Sequence, residues 1–296
     1  MLISLQVNFK ALSIPDSFIK KMEEKTQCKI INGFSDDADI VVFAGKPLPG
    51  KKTVFMQSIS AGVNHLDFNN IDSKIEISSN ADAWSIPVAE HAFALILANY
   101  KNICSSNSNI RAGTYDRIPG KSLYGRTMGI LGYGGIGREI AIRARPFGIH
   151  TIGFGRTEKE HPELDTFTKN IEDVAKNSHI AVITLPLNVY TKGIINNKFL
   201  SAFNGDAIVN VGRAEIVNKD DMLHYLIENP EKYFLTDVWW GEPDVKGPIP
   251  DNVIITPHVA GITQNFIYVP VEKAFDNVVS YLNGRPKNIV NRNDYV

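Results

Sequence analysis

The chain is short of cysteine, of net charge and of long apolar runs, and each scarcity removes a class of protein. Its two cysteines, Cys28 and Cys104, stand far apart and in no CxxC or Cys/His spacing. That pattern implies neither a disulfide framework nor a metal site. A formal net charge of −1 offers no electrostatic footprint for nucleic acid or an anionic membrane, so any bound anion must be met by a local arrangement of groups. The longest strongly apolar helical stretch, 88–100, carries Glu90 and His91 and falls short of the ~20 residues that span a bilayer. Residues 1–10 have no basic leader and no small-residue cleavage site and read as a first strand, so a cytoplasmic protein is expected.

What remains is ample for a globular protein. With 296 residues, 44% apolar and 21% charged, the chain can bury the cores of two domains. Before residue 80, apolar runs at 2–7, 40–43 and 53–55 alternate with helical or polar stretches such as the charged 16–25, which predicts βαβ units and a parallel sheet. A helix start follows at Ser85 and Pro87, and apolar residues continue to about Ile110, predicting a helix of some 25 residues that bridges two domains. From Thr127 the alternation resumes, with strands at 180–183, 207–211, 233–235 and 253–255. Near-continuous apolar runs of this kind fit buried parallel strands with helices on both faces, an α/β doubly wound fold. Pro146 predicts that the helix before it ends near Arg145, and a last helix from about Thr263 stops at Asn283 and Gly284.

The run Gly132-Tyr133-Gly134-Gly135-Ile136-Gly137 sits between an apolar strand, 128–131, and a helical pattern, 138–144. Strand, glycine turn and helix are the context that a dinucleotide site requires. Gly132 permits the tight turn, Gly134 lets the backbone approach a pyrophosphate, and Gly137 lets the helix pack close to its strand. The next strand, 149–154, ends in Gly155-Arg156-Thr157, with no carboxylate. An acid there hydrogen-bonds the ribose 2′-hydroxyl of NAD, whereas an arginine accommodates a 2′-phosphate. NADP(H) is therefore the expected cofactor, with NAD(H) as the lesser one.

In open α/β sheets the site lies beyond the carboxyl ends of the strands. Three such ends carry Arg213, Glu242 and His258. Hydride transfer to a 2-oxo acid needs a bidentate cation for the carboxylate, a proton donor for the carbonyl and a cofactor on the other face. Arg213 fits the first role. His258, whose imidazole can donate and accept near neutrality, fits the second, and Glu242 would orient it through the other ring nitrogen.

These residues also carry a resemblance. The segments 129–137 (GILGYGGIG), 210–214 (NVGRA), 237–243 (DVWWGEP) and 256–261 (TPHVAG) resemble, in order and spacing, motifs of the D-isomer-specific 2-hydroxyacid dehydrogenase family. Segments 58–66 (SISAGVNHL) and 88–91 (VAEH) resemble its substrate-domain motifs. The resemblance implies a Rossmann nucleotide-binding domain, 99–269, and a smaller flavodoxin-like substrate domain, 1–98 plus 270–296. It implies catalytic roles for Arg213, Glu242 and His258, and backbone N–H groups of Ala61 and Gly62, with Arg213, holding the substrate. The cofactor would run along Gly132, Gly134, Gly135, Ile136 and Gly137, past Arg156, Thr157, Leu185, Pro186, Thr191, Val211 and Gly212, to Asp237 and His258. A homodimer formed through the nucleotide-binding domain is also implied. Gly155 departs from the Asp of NAD-preferring members and resembles the NADPH-dependent glyoxylate and hydroxypyruvate reductases, and Asn64 replaces a frequent Asp. The expected activity is reduction of such a 2-oxo acid to a D-2-hydroxy acid. A nucleotide-sensing binding protein on the same fold, like the family's corepressors, is the alternative from another class, and formate dehydrogenase is a third.

Overall fold

Apolar runs bounded by turn residues become strands, and runs with helical spacing become the helices that cover them. In the computed structural model the elements are β1 (Leu2–Gln6), α1 (Asp16–Thr26), β2 (Lys29–Asn32), β3 (Ile40–Phe43), β4 (Phe55–Ser58), β5 (Glu76–Ser78), α2 (Ser85–Tyr100) and α3 (Ile103–Arg111). There follow β6 (Thr127–Leu131), α4 (Gly135–Ala144), β7 (His150–Phe154), β8 (Thr166–Thr168), α5 (Ile171–Asn177), β9 (Ile180–Ile183) and α6 (Asn197–Ala202). The chain closes with β10 (Ala207–Asn210), α7 (Lys219–Glu228), β11 (Tyr233–Thr236), β12 (Val253–Ile255) and α8 (Val269–Leu282). The structure describes residues 1–7, 14–156, 161–264, 266 and 268–295. The chain forms two compact units, Met1–Trp84 with Gln264–Val296, and Ser85–Thr263.

The first unit holds a five-stranded parallel sheet in the order β2-β1-β3-β4-β5. Alternation along the strands sorts side chains to two faces. Ile3, Leu5, Ile40, Val42 and Phe55 share a core with Val271 and Phe275 of α8, while Val41, Phe43 and Met56 face a second core with Val63 and Ile77. α8 is fastened further by stacking of Tyr281 on Phe55, ring centroids 3.9 Å apart, and by the Lys21–Glu272 ion pair at 3.0 Å.

The second unit is a seven-stranded parallel sheet, β12-β11-β10-β9-β6-β7-β8. The chain enters at β6, winds outward through β7 and β8, then returns to the other side at β9. The order therefore reverses between β6 and β9, where a crevice opens outside the strand ends. All four residues of β9 are fully buried, as two-sided helix cover demands. The doubly wound α/β fold expected from the alternation is present.

Three details differ from the sequence expectations. The stretch after Ser85 is two helices, because Asn102 takes a left-handed conformation (φ 55° is seen at Gln27, 51° here) that ends α2 and starts α3; asparagine tolerates this better than most residues. α2 packs on α4 and on β10 and β11, so the units divide at Trp84/Ser85 and Thr263/Gln264 rather than near 98 and 270. The last helix begins at Val269, with Pro270 in its first turn, rather than near Thr263. Ahead of it, α4 gives way at Ala144 to a tight turn through Pro146.

Candidate active site

The glycine turn follows β6 directly. Gly132 has φ +102°, and a Cβ there would lie 2.7 Å from Leu185 N, so both conformation and space exclude a side chain. A Cβ on Gly137 would lie 2.4 Å from Gly132 O, which shows how closely α4 seats against the turn. Gly134 precedes the first residue of α4 and has nothing within 4 Å of its Cβ position. The helix N-terminus thus faces open space with unsatisfied N–H groups, an arrangement suited to phosphate. Thr184, at the end of β9, locks the turn by donating its hydroxyl to Gly132 O at 2.5 Å.

A cleft of about 390 Å³ lies at this point. Of the residues expected along the cofactor, Gly132, Gly134, Arg156, Leu185, Pro186 and Thr191 line it. Gly135, Ile136 and Gly137 form the first turn of α4. Thr157 lies outside the described residues. Thr191 shapes the rim, donating its hydroxyl to Pro186 O while Asn188 accepts from the N–H groups of Tyr190 and Thr191. Val211 is buried, and the Gly212 N–H donates to Asn210 Oδ1 at 3.0 Å.

Near Gly155 the cleft has an aromatic wall that the pattern reading passed over. The His161 ring lies 4.5 Å from that of Tyr133 and 4.8 Å from that of Phe167. Tyr133 donates its hydroxyl to Glu163, as does the Arg138 Nε–H, at 2.8 Å. Burial first, and the Glu163 charge second, push the Tyr133 hydroxyl well above the usual tyrosine range. Phe167 lies on a three-residue edge strand, too short to show a period, and His161 follows no motif. A Cβ on Gly155 would meet Phe167 at 3.5 Å, an ordinary contact, so the missing carboxylate is not a steric necessity.

Arg213, Glu242 and His258 follow the ends of β10, β11 and β12, which are hydrogen-bonded neighbours. His258 Nδ1 lies 2.8 Å from Glu242 Oε2, and Glu242 Oε1 accepts the Trp239 N–H. The carboxylate is thereby fixed at both oxygens, and the imidazole is oriented by a charged acceptor. The His258 side chain is 47% exposed. The backbone carrying Arg213 is held by Asn210, whose Nδ2 donates to Arg213 O at 2.9 Å, and Arg213 Nη1 donates to Gly212 O at 2.8 Å.

Asp237 is fully buried, and its carboxylate is engaged by its own chain. Oδ1 accepts from Thr256 Oγ1 at 2.6 Å and Val259 N at 2.9 Å, and Oδ2 accepts from Ala260 N at 2.8 Å. In the other unit, Ala61 and Gly62 follow β4 in a loop where the Ser60 N–H is taken by Ser58 Oγ. Among the described residues no group of three His, Cys, Asp or Glu could hold a metal ion, and no helix is long and apolar enough to cross a membrane.

A doubly wound sheet with a glycine-turn cleft at its reversal point, and a carboxylate–imidazole pair at neighbouring strand ends, defines a nicotinamide-dinucleotide oxidoreductase. Comparison with known proteins makes this specific. Residues 93–260, over half of the chain, match the model of the D-isomer specific 2-hydroxyacid dehydrogenase NAD-binding domain, and the chain belongs to that family. It is 27% identical over 279 residues to a glyoxylate reductase of Pyrococcus furiosus, covering 89% of this chain and 82% of the relative. Among solved structures it is similar to a glycerate dehydrogenase related protein from Thermoplasma acidophilum, with 34% identity and TM-score 0.69 over 95% of this chain and 100% of that one. A candidate formate dehydrogenase from Pyrobaculum aerophilum matches with 30% identity and TM-score 0.86 over 100% of both chains.

Proposed function

We propose that this enzyme reduces a small 2-oxo acid of the glyoxylate or hydroxypyruvate type with NADPH, giving the D-2-hydroxy acid where a chiral centre forms. The observation that carries the reading is the His258–Glu242 pair at 2.8 Å, which follows β12 and β11, with Arg213 following β10 on the other side of β11. A nicotinamide cofactor held at the glycine turn would supply the hydride for the carbonyl carbon. Arg213 binds the substrate carboxylate with its planar fork and polarises the carbonyl. His258 delivers a proton to the carbonyl oxygen from Nε2, so that C=O becomes CH–OH. Glu242 holds the imidazole through Nδ1–H and stabilises its cationic form before transfer. By the family resemblance, the backbone N–H groups of Ala61 and Gly62 would also bind substrate.

NADP(H) is favoured by Arg156 on the cleft and by the absence of a carboxylate at Gly155. The glycine cradle suits a pyrophosphate, with Leu185, Pro186, Thr191, Val211 and Gly212 along the cofactor and Asp237 toward the nicotinamide end. A homodimer through the second unit is supported by α3, which buries no residue and leaves Ile103 and Ile110 more than half exposed. The nucleotide-sensing alternative is not favoured, since the relatives named above are reductases and dehydrogenases. Steady-state oxidation of NADPH and NADH over a panel of 2-oxo acids tests the reading. Turnover of glyoxylate or hydroxypyruvate with NADPH supports it; cofactor binding without turnover of any 2-oxo acid would sink it.

A further inference from the structure

His91, on α2, belongs to none of the three strand ends, yet it reaches them. Its Nε2 lies 2.8 Å from Thr256 Oγ1 and 3.5 Å from Asp237 Oδ1, and its side chain is 21% exposed. Thr256 Oγ1 is also 2.6 Å from the same carboxylate oxygen, which accepts the Val259 N–H as well. A hydroxyl has one proton to give. Thr256 gives it to the Asp237 carboxylate, so its oxygen can only accept from His91, and His91 Nε2 must carry a proton. The hydrogen bonds then run in one direction, from His91 through Thr256 to Asp237.

Asp237 is the hub of the turn that follows. Its carboxylate accepts the N–H groups of Val259 and Ala260, and its main-chain oxygen accepts the His258 N–H at 2.8 Å. His258 itself has φ +55°, a left-handed conformation uncommon outside glycine. That turn holds the backbone from which the imidazole projects to Glu242.

We propose that His91 is a positioning residue for the reaction: by donating to Thr256 it fixes the Thr256–Asp237 pair, and through it the turn that aims His258. The proposal rests on His258 being the proton donor, and His258→Ala is the control for that reading. If His258→Ala leaves turnover intact, the functional reading fails whatever His91 does.

The test compares His91→Met, which fills similar volume without a donor, with His91→Gln, which keeps an N–H at similar reach. Loss of one supporting hydrogen bond is worth up to about tenfold in rate. The expected result is a kcat for 2-oxo acid reduction reduced on the order of tenfold in His91→Met and restored by His91→Gln, with NADPH affinity and melting temperature unchanged. Thr256→Val should show the same loss, and the double variant no greater loss, because both break one chain. Should His91→Met fail to fold, Thr256→Val against Thr256→Ser carries the same comparison. In the unmodified protein, the 15N resonance of His91 Nε2 should be that of a protonated nitrogen at pH 8. Full kcat in His91→Met, equal impairment of the Met and Gln variants, additive losses in the double variant, or an unprotonated Nε2 would each overturn the proposal.

Discussion

Replacing Gly155 by Asp should convert the cofactor preference from NADPH to NADH, and the structure sets the scale of the effect. The backbone at Gly155 is not left-handed, and a Cβ there meets the Phe167 ring at 3.5 Å and Tyr133 N at 4.0 Å, both ordinary contacts, so the variant should fold without strain. The new carboxylate would stand beside Arg156, on the same stretch of the cleft. An anion held by Arg156 about 5 Å away is repelled by roughly 1–3 kcal/mol in the partly solvated rim. For NADH, a carboxylate accepting from a ribose hydroxyl contributes about 1.5–3 kcal/mol. With ~1.4 kcal/mol per tenfold, the ratio of NADPH to NADH dissociation constants should move on the order of 10²-fold or more toward NADH. Fluorescence titration of each cofactor against the parent and the variant reads this directly. A ratio that stays within about threefold would refute the assignment of this segment to the ribose end.

Other perturbations probe separate parts of the molecule. Arg156→Gln should weaken NADPH binding about tenfold or more while leaving NADH within a factor of about two, in the same titration. Gly132→Ala should destabilise by about 2–4 kcal/mol, from its left-handed backbone and the collision with Leu185, seen as a lowered denaturation midpoint; an unchanged midpoint would contradict that geometry. Asp206 is raised by burial, but Lys121 and Tyr100, which donate to it, and the Arg126 charge outweigh this and hold its carboxyl below the usual range. A folded carboxyl with a depressed pKa contributes its full stability above the unfolded value of about 3.9 and loses it as the pH falls through the folded value. Asp206→Asn should therefore be less stable than the parent at pH 7, with the gap closing below about pH 4; a gap that widens in acid would reverse the sign. If α3 forms the proposed dimer face, Ile110→Asp should lower the sedimentation coefficient from that of a dimer to that of a monomer; an unchanged coefficient would contradict that face.

Legibility in the sequence followed burial and chemistry. Strands at the sheet centre, such as Ile180–Ile183, carry apolar residues on both faces and stand out as unbroken runs. β2, β5 and β8 do not, because each is an edge strand of three or four residues with polar members, and edge strands are kept short. The break at Asn102 was hidden because apolar residues continue on both sides of it, and one left-handed residue leaves no periodic trace. At the site, glycines and strand-end charged residues announce themselves by type and spacing. The Tyr133–His161–Phe167 wall and the bond from His91 to Thr256 depend on contacts between distant segments, 165 residues apart in the latter, which no local pattern encodes.

In the proposed reaction His258, held by Glu242, supplies the proton as hydride reaches a 2-oxo acid. Single-turnover oxidation of bound NADPH by glyoxylate, followed by absorbance in the parent and in His258→Ala, measures that step alone. A fall of about 10²-fold or more with NADPH binding unchanged is the expected result. A single-turnover rate equal to the parent's would contradict it.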